Sequence, residues 1–307
     1  MRPVKTDILG LKDMQAAHME EILKTARSMK KLLDSGAKRT PHLQGKTIVT
    51  VFYEDSTRTR VSFELASKYM SANQANITAS GSSVSKGESL IDTARTIDRM
   101  STDVLVIRHP MSGAPHLLAK HVRASVVNAG DGMHEHPTQG LLDMFTIIEK
   151  KGGIDGLRVA IVGDILHSRV ARSNIWGLGK MGADICVAGP PTMMPRDIEK
   201  TGVTVFDTAH EAITGADVVI GLRLQLERQK SGLFPTIREY SKFFGIDQNK
   251  LRLAAPDVLL LHPGPVNRGV ELTSEVVDAD YSAIDEQVTN GVAVRMSILY
   301  HLTRGNL

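Results

Sequence analysis

Ser56-Thr57-Arg58-Thr59-Arg60 puts three hydroxyls and two guanidinium groups into five residues. They follow the apolar run Lys46 to Tyr53 and open a helical pattern. Backbone N–H groups at a helix N-terminus have no intrahelical partner and attract anions. Arg58 adds a permanently charged fork that matches phosphate oxygens. The simpler account is a helix cap flanked by two solvated arginines. Two further polar junctions argue for more than a cap. Arg108-His109-Pro110 ends the apolar stretch Asp103 to Ile107, and His134-Glu135-His136-Pro137-Thr138-Gln139 follows Ser125 to Asn128. In a parallel sheet all three junctions leave the carboxyl edge, where open α/β sheets bind ligands. His134 and His136 form a two-apart pair with no cysteine and no third ligand in sequence, which is a poor metal signal. We expect no metal and no cofactor, and His134 reads as a hydrogen-bonded structural residue.

The elements that must position these groups alternate between short apolar strands and amphipathic helices. Strands are expected at Lys46 to Tyr53, Asp103 to Ile107 and Ser125 to Asn128. Helices are expected at Ser56 to Ser71, Glu88 to Met100, Ala114 to His121 and Pro137 to Lys150. After the turn-rich segment Lys150 to Leu157 the pattern restarts, with strands at Arg158 to Val162, Asp184 to Ala188, Asp217 to Leu222 and Val258 to Leu261. The fold class is therefore α/β, with two doubly wound parallel-sheet domains. We expect the first domain at 1–150 and the second at 151–283. The last helix, Ile284 to Arg304, is expected to return to the first domain, so that 284–307 packs there. Gln229 to Asn249 reads as a polar, irregular stretch.

Several function classes fall away. The chain has 307 residues and a net charge of +3, too little excess for a nucleic-acid surface. No apolar stretch is long enough to span a bilayer, and the first ten residues carry no signal-peptide core. A cytoplasmic enzyme is the simplest expectation. The lone cysteine, Cys186, lies in an apolar run and reads as a buried strand residue rather than a nucleophile. Gly177-Leu-Gly179-Lys-Met-Gly182 fits G-x-G-x-x-G, which would suggest a nucleotide-dependent oxidoreductase. That fingerprint must follow a strand and open a helix. Here it closes a helical run and precedes a strand, so its glycines are expected to end the helix and turn the chain. A non-catalytic anion-binding protein is the remaining alternative.

Taken together, Ser56-Thr-Arg-Thr-Arg60, Arg108-His-Pro110 and His136-Pro-Thr-Gln139 resemble the signature segments of the aspartate and ornithine carbamoyltransferases, in order and approximate spacing. The resemblance extends over essentially the whole chain. It implies transfer of the carbamoyl group of carbamoyl phosphate to an amino acid, and a place in de novo pyrimidine biosynthesis if the acceptor is L-aspartate. Gly221-Leu-Arg223-Leu-Gln225-Leu-Glu227-Arg228 and His262-Pro-Gly-Pro265 resemble the aspartate-type segments. The ornithine-type enzymes carry a cysteine directly after the loop histidine, where this chain has Pro263. Ornithine or another amino acid is the alternative acceptor.

By the same resemblance, Ser56, Thr57, Arg58 and Thr59 bind phosphate, with Thr59, Arg108 and His136 around the carbamoyl oxygen and Gln139 on the carbamoyl amide. Arg58, Thr59, Arg108 and His136 form the catalytic set. Arg169, Arg223 and Gln225 match the binders of the aspartate carboxylates, and cationic donors suit a dicarboxylate. Gly264 and Pro265 match a loop whose backbone carbonyls line the site. Ser82 and Lys86 match a loop that enters a neighbouring subunit's site, where Lys86 meets both substrates. The resemblance thus implies a homotrimer with shared active sites. A regulatory chain or dihydroorotase is a partner on which the sequence is silent, and no nucleic acid or membrane partner is expected.

Overall fold

The computed structural model describes residues 5–36, 38–78, 88–224 and 236–304. Ser82, Lys86 and Gln225 lie outside the described residues. The chain divides into two compact units, Met1–Leu142 with Val288–Leu307, and Asp143–Gln287.

The first unit contains α1 (Ala16–Asp34), β1 (Thr47–Phe52), α2 (Thr57–Tyr69), β2 (Asn73–Thr78), α3 (Leu90–Arg99), β3 (Val104–His109), α4 (Ala114–Ala119) and β4 (Ser125–Asp131). The helix α5 (Pro137–Lys151) starts in this unit and continues past its boundary. The four strands are parallel, in the order β2-β1-β3-β4. One face packs Val49, Val51, Leu105, Ile107 and Val126 against Ala94, Ile97 and Leu118. Ile48, Val104, Val106 and Val127 are buried as well, so the sheet is covered on both faces. Burial on both faces explains why its central strands read as near-continuous apolar runs.

The second unit contains β5 (Arg158–Val162), α6 (Arg169–Lys180), β6 (Asp184–Ala188), β7 (Thr204–Phe206), α7 (Ala209–Ile213), β8 (Val218–Gly221), α8 (Ile237–Phe244), α9 (Gln248–Leu251), β9 (Leu259–Leu261) and α10 (Ser274–Val277). Its five strands are also parallel, ordered β7-β6-β5-β8-β9. Cys186 is buried in β6, and burial pushes its thiol up to about 11, which keeps it a protonated core residue.

Residues from Val288 onward in α11 (Ile284–Arg304) belong to the first unit. Ser297 Oγ donates to the Ile22 carbonyl of α1 at 2.7 Å, and His301 Nε2 meets Thr25 Oγ1 at 2.9 Å. Arg295, only 3% exposed, donates to Ser62 Oγ at 2.8 Å and to Thr138 Oγ1 at 3.5 Å. Its guanidinium carbon lies 5.2 Å from the Phe63 ring centre.

Four features differ from the sequence expectations. The strand β2 reads Asn-Gln-Ala-Asn-Ile-Thr and is absent from them. It is an edge strand, held to β1 by a parallel ladder and by the Thr50 hydroxyl donating to Asn76. A half-exposed edge needs no apolar run. The helix α1 is absent too, although Met19, Ile22, Leu23, Ala26 and Met29 carry helical spacing and are all buried. The stretch expected to be irregular, Gln229 to Asn249, contains α8 and the start of α9. The signal there was a cap: Thr236 Oγ1 accepts the Glu239 N–H at 3.1 Å, in the Thr-x-x-Glu pattern that starts helices. Finally, only Gly182 turns the chain, at φ 89°, while Gly177 and Gly179 lie inside α6.

Arg295→Met should cost about 2–4 kcal/mol, because two buried hydroxyls lose a charged donor. Urea denaturation of both proteins checks this. A loss within about 0.5 kcal/mol, the usual scatter for surface changes, would mean the arginine is not a structural tie.

Candidate functional site

In the first unit the three polar junctions leave adjacent strands at one edge. The register pairs Phe52 with Arg108 and His109 with Asp131, so β1, β3 and β4 end side by side. Ser56 is the N-cap of α2, with φ −160° and ψ 95°, yet its side chain makes no capping bond. Its hydroxyl instead accepts from Arg108 Nη1 at 3.3 Å. The cap-only account therefore fails for Ser56. The first-turn amides of α2 keep their anion-attracting character. Thr57 and Arg58 are exposed in that first turn, and Thr59 is buried beside them.

Arg108 is oriented from three directions. Its Nε donates to Glu54 Oε2 at 3.3 Å, its Nη1 reaches Ser56, and its carbonyl accepts the Tyr53 N–H at 2.9 Å. An ion pair this well covered fixes a guanidinium plane better than an exposed one would. His109 is buried against Tyr53, with ring centres 4.8 Å apart. Burial lowers its pKa, and its Nδ1 accepts the Met111 N–H at 3.0 Å.

His136 and Gln139 sit at the start of α5, 4% and 8% exposed. Thr138 Oγ1 lies 3.4 Å from His136 Nδ1 and accepts from Arg295 on its other side. The Thr138 hydroxyl thus links Arg295 to the His136 ring.

The loop that delivers His136 is organised by Asp131, which is fully buried. Its carboxylate accepts the N–H groups of Gly113 at 2.7 Å and Glu135 at 3.1 Å, and Asn128 Nδ2 at 2.8 Å. His134 Nδ1 lies 3.1 Å away. Burial pushes the Asp131 carboxyl up, but His134, Gly113 and Asn128 outweigh it and hold it below the usual value. Gly132 follows at φ 45°; a Cβ there would come within 2.9 Å of Pro110 O and closer still to Ser112. Only glycine fits that turn. Glu135, also buried, accepts the Leu11 N–H at 2.8 Å and so ties the N-terminal segment to the same loop.

In the second unit β5, β8 and β9 are neighbours, with Val162 opposite Gly221 and Ile220 opposite Leu261. Their carboxyl ends carry Arg169, Arg223 and the 264–265 turn, so this unit also gathers its expected residues at one edge. Arg169 is the first residue of α6 and 3% exposed, and Ser168 Oγ caps that helix by accepting the Ala171 N–H at 3.1 Å. Arg223 is half-buried beyond β8. The backbone after it is pinned because Glu271 accepts the Leu224 N–H at 2.9 Å and both Asn267 N–H groups. His262 Nδ1 accepts the Gly264 N–H at 2.9 Å, and the peptide Gly264–Pro265 is cis. The His262 N–H donates to Gln287 Oε1, whose amide donates to Asp143, which also accepts from Asn174 at 2.8 Å. Glu54, Asp131, Asp143, Glu271 and Arg295 were missed by sequence reading. Each also holds a partner distant in sequence: Arg108 for Glu54, Gly113 for Asp131, Asn174 and Gln287 for Asp143, Leu224 for Glu271, and Ser62 and Thr138 for Arg295.

Residues 6–149 match the family model for the aspartate/ornithine carbamoyltransferase carbamoyl-P binding domain, and 155–302 match its Asp/Orn binding domain. The chain belongs to the aspartate/ornithine carbamoyltransferase family. Among relatives of this family, the aspartate carbamoyltransferase catalytic subunit of Ruminiclostridium cellulolyticum is 69% identical over 97% of this chain and 95% of that protein. The subunit of the same name from Acetivibrio thermocellus is 68% identical over 97% and 96%. The fold resembles aspartate transcarbamoylase from Trypanosoma cruzi in complex with N-(phosphonacetyl)-L-aspartic acid, at TM-score 0.87, 32% identity and 97% coverage of each chain. It equally resembles ornithine carbamoyltransferase from Pyrococcus furiosus, at TM-score 0.87, 30% identity and coverage of 99% and 98%. Among the described residues no helix is long and apolar enough to cross a membrane.

Asp131→Asn keeps the shape but turns an acceptor into a donor that faces N–H groups, which should cost about 2–3 kcal/mol. Because the folded pKa lies below the ordinary value, the native carboxylate stabilises above pH 3.8 and loses that contribution as pH falls further. Urea midpoints should therefore fall less steeply with acid in the variant. Equal slopes would place the acid-sensitive carboxylates elsewhere.

Proposed function

We propose that this chain is an aspartate carbamoyltransferase, which joins carbamoyl phosphate to L-aspartate and releases N-carbamoyl-L-aspartate and phosphate. Family membership together with the closely similar aspartate-named relatives carries this reading. The first unit is read as the carbamoyl phosphate domain, since the uncapped start of α2, Arg58 and Arg108 form an anion-binding edge. The second unit is read as the aspartate domain, with Arg169 and Arg223 at its carboxyl edge. We place the reaction in de novo pyrimidine biosynthesis and in the cytoplasm.

The chemistry is acyl transfer to an amine. The neutral amino group of aspartate attacks the carbamoyl carbon, and negative charge grows on the carbonyl oxygen. Donors set for that oxygen lower the barrier because they bind it more strongly in the transition state. Thr59, Arg108 and His136 are assigned that role, and Gln139 holds the carbamoyl amide. The C–O bond to phosphate then breaks. The phosphate leaves against Ser56, Thr57, Arg58 and the α2 amides, and takes up the proton released by the amine. No covalent enzyme intermediate is needed.

A product assay with carbamoyl phosphate and a panel of amino acids should yield N-carbamoyl-L-aspartate. Preferred carbamoylation of ornithine would overturn the acceptor assignment. Arg223→Ala should raise the aspartate KM at least tenfold while leaving carbamoyl phosphate binding within about twofold, since a charge-assisted contact is worth about 1.5–3 kcal/mol. Equal loss for both ligands would contradict the assignment of aspartate to Arg223.

We also propose a homotrimer in which Ser82 and Lys86 complete the site of a neighbouring subunit, since a head-to-tail contact closes only in a ring. Lys86→Ala and Arg58→Ala should each be nearly inactive. Unfolded and refolded together they should recover part of the activity, as some sites receive both intact residues. Mixed oligomers with no recovery would confine the site to one chain.

A further inference from the structure

Three side chains in the first unit, apart from the groups assigned to catalysis, bring metal-ligand chemistry together. They are His116 in α4, Asp131 at the end of β4 and His134 in the loop beyond it, and one ligand atom from each lies within 4.8 Å of the others. We propose that His116, Asp131 and His134 form a binding site for Zn2+ or a similar late divalent transition ion.

Donor types, lone-pair capacity and ring geometry all support it. Two imidazoles and one carboxylate suit zinc, with water as the fourth ligand. A carboxylate offers about four lone-pair positions. Gly113, Asn128 and Glu135 take three of those on Asp131, and the one left on Oδ2 faces His134 Nδ1 at 3.1 Å, a contact that a bound ion would replace with a bond to each. Those three donors are amides that do not titrate, so they fix the carboxylate as an outer shell would.

Two imidazoles bonded at about 2.0–2.1 Å to one tetrahedral ion would set their ring centres about 5 Å apart. The His116 and His134 centres are 5.2 Å apart, with their planes at 69° to one another. His116 Nδ1 is buried and has no hydrogen-bond partner among the described residues. A buried nitrogen without a partner costs stability that a metal bond would remove. Tetrahedral ligand atoms sit about 3.3 Å apart. Asp131 and His134 already lie at 3.1 Å, so only the remaining pairs must close in. The structure groups His134 with His116 and Asp131, not with His136, the neighbour that made a poor metal signal in sequence.

Chelator-treated protein titrated calorimetrically with Zn2+, in buffer free of phosphate, tests the site. The expected result is one Zn2+ per chain and a thermal midpoint that rises with Zn2+. His116→Gln, which keeps side-chain bulk at a partly buried position, should weaken binding at least tenfold and abolish the rise. His134→Ala should do the same, and the exposed His210→Ala should change neither. Substitution with Co2+ should give the intense visible absorption of a four-coordinate ion in the native protein and not in His116→Gln. Absence of saturable binding would overturn the proposal. So would binding that survives His116→Gln, or that falls equally in His210→Ala.

Discussion

Parallel pairing imposes the constraint from which both candidate sites follow. Strands that run the same way in register must end together, and each must then cross over through a helix. Phe52 opposite Arg108 and His109 opposite Asp131 make the ends of β1, β3 and β4 a single edge. Val162 opposite Gly221 and Ile220 opposite Leu261 do the same for β5, β8 and β9. The apolar interiors of these strands cannot carry chemistry, because both faces are buried. The polar candidates therefore gather at and just beyond the strand ends, where helix N-termini add unpaired amides.

Edge geometry alone would leave those segments loose. Each is held by a buried polar group with several partners. Asp131 gathers the loop before His136, Glu271 gathers the backbone after Arg223, and Asp143 with Gln287 and Asn174 sets the segment after β9. Burial raises the carboxyl of Glu271, while in Asp131 the donors prevail and the group is held below its usual value. The number and charge of the donors decide which effect wins. Breaking such a hub exposes several unmatched groups at once, so these positions tolerate little change.

Arg295 shows how a remote helix enters the same design. It lies well over a hundred residues from Thr138 in sequence, yet its guanidinium reaches Thr138 and Ser62, one at the start of α5 and one in α2. A packing residue thereby lies one hydroxyl away from His136, whose Nδ1 is 3.4 Å from Thr138 Oγ1.

The α/β class, the main central strands and the polar junctions at their ends were legible in the sequence. Periodicity records burial directly, and short polar motifs between apolar runs mark strand ends. Ser56 to Thr59, Arg108 and His136 stand out locally because their types and neighbours do not depend on distant contacts. The polar edge strand β2 did not stand out, because an exposed edge leaves no apolar pattern. The helix α8 was missed where a Thr-x-x-Glu cap, rather than a long apolar stripe, marked its start. Tertiary structure alone decided that the Ser56 hydroxyl turns to Arg108 instead of capping its helix. It alone placed His116 beside Asp131 and His134, and Arg295 beside Thr138. Those pairings depend on register and helix packing, which bring together residues that sequence spacing keeps apart.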